Sequence, residues 1–179
     1  MKNREKLFKM VLSALFLALA YVMPFLTGQI QEIGNKLCPM HIPVLICGFI
    51  CGWQWGMSVG FIAPFLRSFT VGMPLLFPNA IAMAFELAVY GIVSGIMQKT
   101  LPNKKPYIYL SLLIAMVAGR IMWGTVMYIL LGIYGSSFTL DAFLAGAFLN
   151  ALPGIIAQII LIPPLVMLFD GMNANRRKL

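Results

Sequence analysis

Long apolar runs separated by short polar breaks dominate this chain, and a helix of about twenty such residues crosses the ~30 Å hydrocarbon core of a bilayer. Lipid offers no partners for backbone N–H and C=O groups, so runs of this kind fold as helices that satisfy those groups internally. The expected fold class is therefore all-α, an integral membrane bundle. Composition agrees: 61% of residues are hydrophobic and 10% are charged, where a soluble domain has about 25% charged. The net charge of +8 does not point to nucleic acid, because the basic residues cluster beside apolar segments, where they act as orientation signals. Residues 1–179 read as a single membrane domain, multi-pass in the cell membrane.

Helices are expected at about 7–26, 40–53, 56–70, 79–98, 106–134 and 141–169. The last two exceed the length needed to span, which implies tilt, a kink or an interfacial end. The stretch from Met40 to Thr70 is apolar but broken by Gly52, Trp53, Gln54, Trp55 and Gly56, and admits either one long helix or two short ones with a tight turn. Charge decides between them. Lys2, Arg4, Lys6 and Lys9 precede the first segment, Lys99, Lys104 and Lys105 separate the fourth from the fifth, and Arg176, Arg177 and Lys178 follow the last. Only with two helices in the broken stretch do all three clusters fall on the cytoplasmic side. Six transmembrane helices with both termini cytoplasmic are expected, with Trp53 and Trp55 as interfacial anchors at the inner turn. Of the thirteen basic residues only Lys36 then lies in an outer loop. The basic start and Ala18-Leu19-Ala20 imitate a signal peptide, but apolar sequence continues through Leu26, long enough to span.

Charged and polar residues inside these segments carry the functional signal, because an ionised side chain at mid-membrane costs about 2.5 to 3.5 kcal/mol on insertion scales. At ~1.5 Å per residue, Arg67 falls near the outer end of the third helix and Glu86 about 10 Å below the outer start of the fourth. Asn150 is roughly 14 Å below the start of the sixth helix, and Arg120 about 20 Å above the inner start of the fifth. His41 and Asn79 stand at the outer mouths of the second and fourth, and Gln158 is deeper. Groups from five helices in the outer half describe an outward-facing polar cavity for a solute. The alternative is local: Glu86 neutralises Arg67 or Arg120 as a structural pair, and Asn150 and Gln158 join helices by hydrogen bonds. Two Arg against one Glu leave an excess cation, which favours an anionic ligand, a carboxylate gripped by two parallel hydrogen bonds.

Glycines give a second pattern. Gly48, Gly52, Gly56 and Gly60 recur every fourth residue and Gly91 and Gly95 repeat the spacing, as small-residue contacts between membrane helices do. Ala14 and Ala18 form another small pair on the first helix, open to an internal contact or to a partner protein. The three cysteines, Cys38, Cys47 and Cys51, are odd in number and imply no disulfide framework. Cys38 and His41 have a ligand-like spacing, but a metal site needs three or four ligands and the chain has one His, so no metal site is expected.

The basic start, Ala14-xxx-Ala18, and the run Pro39-Met40-His41-Ile42-Pro43-Val44-Leu45 leading to Gly48 resemble an S component of the energy-coupling factor (ECF) vitamin transporters, over nearly the whole chain. Gly60, Pro64 and Arg67, then Phe77-Pro78-Asn79-Ala80-Ile81-Ala82-Met83-Ala84-Phe85-Glu86, look most like the pantothenate-type members. The resemblance implies a subunit that captures a vitamin from outside. It also implies that the Ala14/Ala18 face docks on a transmembrane coupling protein driven by two ATPase subunits, followed by toppling that carries the solute inward. Pantothenate has one carboxylate, suited to Arg67 or Arg120, and hydroxyl and amide groups for His41, Asn79, Glu86 and Asn150. The loop from Thr27 to Pro39, with Gly28 and Gly34, would be a lid. Met40-His41-Ile42 repeats the letters of a nickel and cobalt motif that needs a free terminal amine, so that chemistry does not transfer.

The chain has no phosphate-cradling G-x-x-x-x-G-K-[ST], so it carries no cofactor of its own and ATP would be used by the partner subunits. A competing class is a stand-alone secondary transporter of a small organic acid, with Glu86 taking up and releasing a proton. An intramembrane enzyme would have only Cys38 beside His41 as nucleophile and base, and no enzymatic activity is expected.

Overall fold

The structure is a computed structural model and describes residues 2–27, 38–102, 105–135, 139–149 and 151–176. All regular structure among them is helical. The elements are α1 (Lys2–Val22), α2 (His41–Cys51), α3 (Trp53–Val71), α4 (Ile81–Thr100), α5 (Lys105–Ile133), α6 (Leu140–Leu144) and α7 (Leu152–Arg176). Among the described residues, four stretches are long and apolar enough to cross a membrane: Asn3–Phe25, Leu76–Thr100, Lys105–Ile133 and Leu152–Gly171.

The broken stretch resolves into a reversal. Gly52 takes a φ of 99° that an L side chain rarely adopts, and it alone separates α2 from α3. Gly48 and Gly56 would lie about 12 Å apart along one continuous helix. A Cβ on Gly56 would instead sit 2.7 Å from the Gly48 Cα, so α3 runs back along α2. The same column sets α4 against both. A Cβ on Gly56 would also come within 2.9 Å of the Gly91 Cα, a Cβ on Gly60 would strike the Leu87 carbonyl, and one on Gly95 would strike the Trp53 backbone. Gly60 facing Leu87, Gly56 facing Gly91 and Trp53 facing Gly95 make α3 and α4 antiparallel, in backbone contact that only glycine permits. Gly52 is a correction to the expected packing row: no atom lies within 4 Å of a Cβ built there, and its role is the turn.

Around this three-helix centre the other elements are looser. α1 packs on α2 and α3 through Phe16, Ala20 and Ser13, and the Ser13 hydroxyl meets Cys47 Sγ at 3.7 Å. Leu7, Val11, Leu15 and Leu19 on its other side are exposed. α3 ends on Gly72 in the left-handed conformation (φ 77°). The linker then continues through Leu76–Ala80, where Phe77 is extended (φ −116°, ψ 134°), into α4. α5 lies along α4, and Gly119 leaves room for the Tyr90 ring.

The last expected helix, 141–169, is not continuous. α6 starts on a Thr139 cap, whose Oγ1 accepts the Ala142 N–H at 3.2 Å; a wider-wound turn Ala145–Leu149 follows, and α7 begins only at Leu152. Pro153 explains the restart, since it lacks an N–H for a preceding turn but fits the first turn of a new helix. Pro163 and Pro164 lie within α7, which therefore lacks two of its ladder donors.

Candidate functional site

α2 is 11 residues, about 16 Å, shorter than the ~30 Å hydrocarbon core, so a pass at this point needs residues beyond the helix itself. Its first residue sits beside the middle of α4, which makes the site. His41 Nε2 is 3.5 Å from Glu86 Oε1, and Arg120 Nη1 of α5 reaches the same oxygen at 3.1 Å. The Tyr90 hydroxyl, one turn along α4 from Glu86, donates to it at 3.0 Å, and the His41 and Tyr90 rings lie 5.3 Å apart. Glu86 is 1% exposed, so charge and hydrogen bonds from α2, α4 and α5 converge on one buried carboxylate. Cys38 precedes the cluster at φ 46°; its carbonyl accepts the His41 N–H at 3.0 Å and its sulfur lies 3.7 Å from Arg120 Nη2.

Arg67 stands apart from this cluster. Gly60 faces Leu87, so seven residues further along antiparallel α3 brings Arg67 level with Ala80, about 9 Å along the axis from Glu86. Its Nη1 donates to the Tyr21 carbonyl of α1 at 3.1 Å and its guanidinium lies 4.9 Å from the Phe25 ring centroid. That carbonyl belongs to the last turn of α1, where carbonyls lack helical partners. Arg67 is 3% exposed, and among the described residues it meets no carboxylate. Of the two expected partners of Glu86, the structure pairs it with Arg120.

Gln158 is buried at 1% exposure in α7, and neither its Oε1 nor its Nε2 has a hydrogen-bond partner among the described residues. An unpaired buried polar group of this kind costs about 1 to 3 kcal/mol. Its depth differs from the expected one. Gln98 Nε2 donates to Asp170 Oδ2 at 3.1 Å, joining the C-terminal parts of α4 and α7. From there the buried residues Val166, Ile162, Gln158 and Ala151 carry α7 up the bundle beside α2 and α5. Glu86 lies twelve residues above Gln98 and Gln158 twelve above Asp170, so the two are level at about 18 Å from that bond. The expected greater depth assumed one straight helix from Asp141, which the interruption before Leu152 removes.

Asn79 is half-buried in the linker turn ahead of α4, on the Arg67 side of the cluster. Asn150 and the 28–37 part of the proposed lid lie outside the described residues. Ala14 and Ala18 are exposed on α1, so neither is buried by an internal contact. Sequence reasoning missed Tyr90, and it set Cys38 beside His41 as a possible ligand or nucleophile but not beside Arg120. Tyr90 was within reach, since positions four apart share a helix face and Glu86 is four residues earlier.

Compared with known proteins, residues 8–166 match the family described as "ECF transporter, substrate-specific component". No curated protein and no solved structure matches the chain.

Proposed function

This chain belongs to the substrate-specific component family of ECF transporters, and we propose that it captures a small anionic vitamin, pantothenate in first place, from outside the cell. Membership makes it a membrane transporter subunit rather than an enzyme, with a small-molecule substrate and an energy-coupling module as partners. The finer reading is ours. The chain passes the membrane six times with both termini cytoplasmic, α2 and α3 forming one inward hairpin about Gly52. Its site is built from His41, Arg67, Asn79, Glu86, Arg120, Asn150 and Gln158.

The observation that carries the anionic substrate is the charge balance among buried groups. Glu86 is taken by Arg120 at 3.1 Å, whereas among the described residues Arg67 meets a carbonyl and a ring and no carboxylate. A guanidinium carries five N–H donors, and Arg67 spends one on Tyr21. The remainder suit a carboxylate held by parallel bonds. Energy would reach the solute from two ATPase subunits through a transmembrane coupling protein, which docks where α1 exposes Ala14 and Ala18 between Val11, Leu15 and Leu19. Small residues there let a partner helix approach closely.

Reconstitution in proteoliposomes tests this reading. The purified chain alone should bind pantothenate without accumulating it, and uptake should require the coupling module and ATP. Accumulation driven by a proton gradient with the chain alone would establish the secondary-transporter reading instead.

A further inference from the structure

We propose that the tip of the α2–α3 hairpin, flanked by Lys6 and Lys9 of α1 and Lys99 of α4, binds the headgroup of an anionic phospholipid. The inference takes its leaflet, the inner one, from the six-pass topology above and otherwise stands apart from the solute reading.

Two packing stripes change character where the hairpin ends. The Ser13 hydroxyl of α1 donates to the Lys9 carbonyl at 2.7 Å and meets Cys47 Sγ of α2 at 3.7 Å. One turn nearer the start of α1, Lys9 therefore comes level with Cys51, the last residue of α2, and it lies within electrostatic reach of that thiol. Lys6 is three residues further along the same helix face, about 4.5 Å past the end of α2. On α4 the stripe of Gly91 and Gly95 lies against α3, where a Cβ on Gly95 would strike the Trp53 backbone. Lys99 carries that stripe one turn on, about 6 Å past the start of α3. Both α1 and α4 pack on α2 and α3. The hairpin is thus shorter at this end than the helices beside it, and three exposed lysines stand on the faces that pass its tip.

Charge and apolar surface together name the occupant. Nothing lies within 4 Å of a Cβ built on Gly52, so the tip is open. Among the described residues the acids at this end are Glu5, next to Lys6 in the chain, and Asp170, which accepts from Gln98. The surplus positive charge suits a phosphate diester. Trp53 and Met57 of α3 and Ile96 of α4 are exposed beside the tip and offer apolar surface to acyl chains, and Trp is enriched at membrane–water interfaces. A free phosphate has no use for that surface. The α1 face that exposes Ala14 and Ala18 is a different one, continued by Val11, Leu7 and Arg4 at helical spacing, so a protein docked there leaves Lys6 and Lys9 uncovered.

The test is native mass spectrometry of the full-length purified protein with equal amounts of phosphatidylglycerol and phosphatidylcholine. A lysine beside an anionic lipid surface is worth about fivefold, so the unaltered protein should prefer phosphatidylglycerol by at least about tenfold, and less so as salt is added. Lys6→Gln, Lys9→Gln and Lys99→Gln combined should bring the preference to within about twofold. Should that triple variant not fold, Lys6→Gln with Lys9→Gln and the single Lys99→Gln should each remove part of it. Arg4→Gln, a charge of the same sign on the other face of α1, should change it by less than about twofold. Equal retention of both lipids by the unaltered protein, a preference that the lysine variants keep, or an equal loss in Arg4→Gln overturns the site. Displacement of the lipid by equimolar inorganic phosphate overturns the lipid assignment. If the lysine variants keep the lipid preference but no longer join the coupling module, the surface belongs to that protein and the proposal falls. No solute enters the measurement, so its outcome is independent of the pantothenate reading.

Discussion

Arg120 and Arg67 are both buried guanidiniums on apolar helices, and they are held by opposite means. Arg120 sits at mid-bundle with a carboxylate at 3.1 Å and Cys38 beside it, in a cluster closed by His41 and Tyr90. Arg67 sits at the junction of α1 and α3, with one backbone carbonyl and the face of Phe25. The first arrangement cancels its charge within the protein. The second leaves a cation that meets no carboxylate among the described residues, and the proposed function gives that place to the solute. Net charge inside a membrane segment therefore says little until the pairing is known, and here the pairing separates a scaffold cation from the one assigned to ligand.

The largest effect should come from breaking the closed pair. Glu86→Leu strands Arg120 without a counter-charge and should cost about 3 to 5 kcal/mol, read as a lowered unfolding temperature in detergent. Adding Arg120→Met to the same chain should recover part of the loss, because no lone charge then remains. A Glu86→Leu protein as stable as the original would remove the scaffold role of the pair.

Next in size is the open cation. Arg67→Met should leave the protein folded and weaken binding of an anionic ligand by about 10- to 100-fold, the worth of hydrogen bonds to a charged group. Titration of the purified variant measures this, and unchanged affinity would end the carboxylate grip.

The frame that keeps Glu86 level with Arg120 gives a third test. Gly91→Val would push a side chain into the Gly56 backbone, and the overpacking should cost about 1 to 3 kcal/mol in thermal unfolding. Gly52→Ala differs in kind, being strained by its φ of 99° rather than by neighbours.

These positions also show what could be read from the chain. The reversal at Gly52 was legible because three basic clusters demanded an extra pass, and the small-residue spacing of Gly48, Gly56, Gly60, Gly91 and Gly95 foretold close helix contact. The pattern could not show that Gly52 is a turn, since a glycine at the same spacing serves packing or reversal equally well. Depth counted along single helices located Glu86 and Arg120 near each other but not their bond, which depends on how α4 and α5 rotate about their axes. It failed for Gln158, where Pro153 restarts the helix and shifts every later residue. Which Arg would hold Glu86 was beyond sequence, because counting along the helices puts both at depths near that of Glu86 and only packing chooses.

The smallest effect on stability belongs to α1, the element that supplies Arg67 with its carbonyl. Ala14→Leu and Ala18→Leu lie on its exposed face and should change stability by no more than about 0.5 kcal/mol. Solute binding should persist while ATP-dependent uptake by the full complex falls. Uptake at the original rate in both variants would move the docking surface off α1.

The most direct test of the central claim is calorimetric titration of the unaltered protein and Arg67→Met with pantothenate and with the neutral alcohol that replaces its carboxylate. The unaltered protein should bind the carboxylate at least about tenfold more tightly than the alcohol, and Arg67→Met should bind the two alike. Equal affinity of the unaltered protein for both, or a preference that survives in Arg67→Met, would contradict the account.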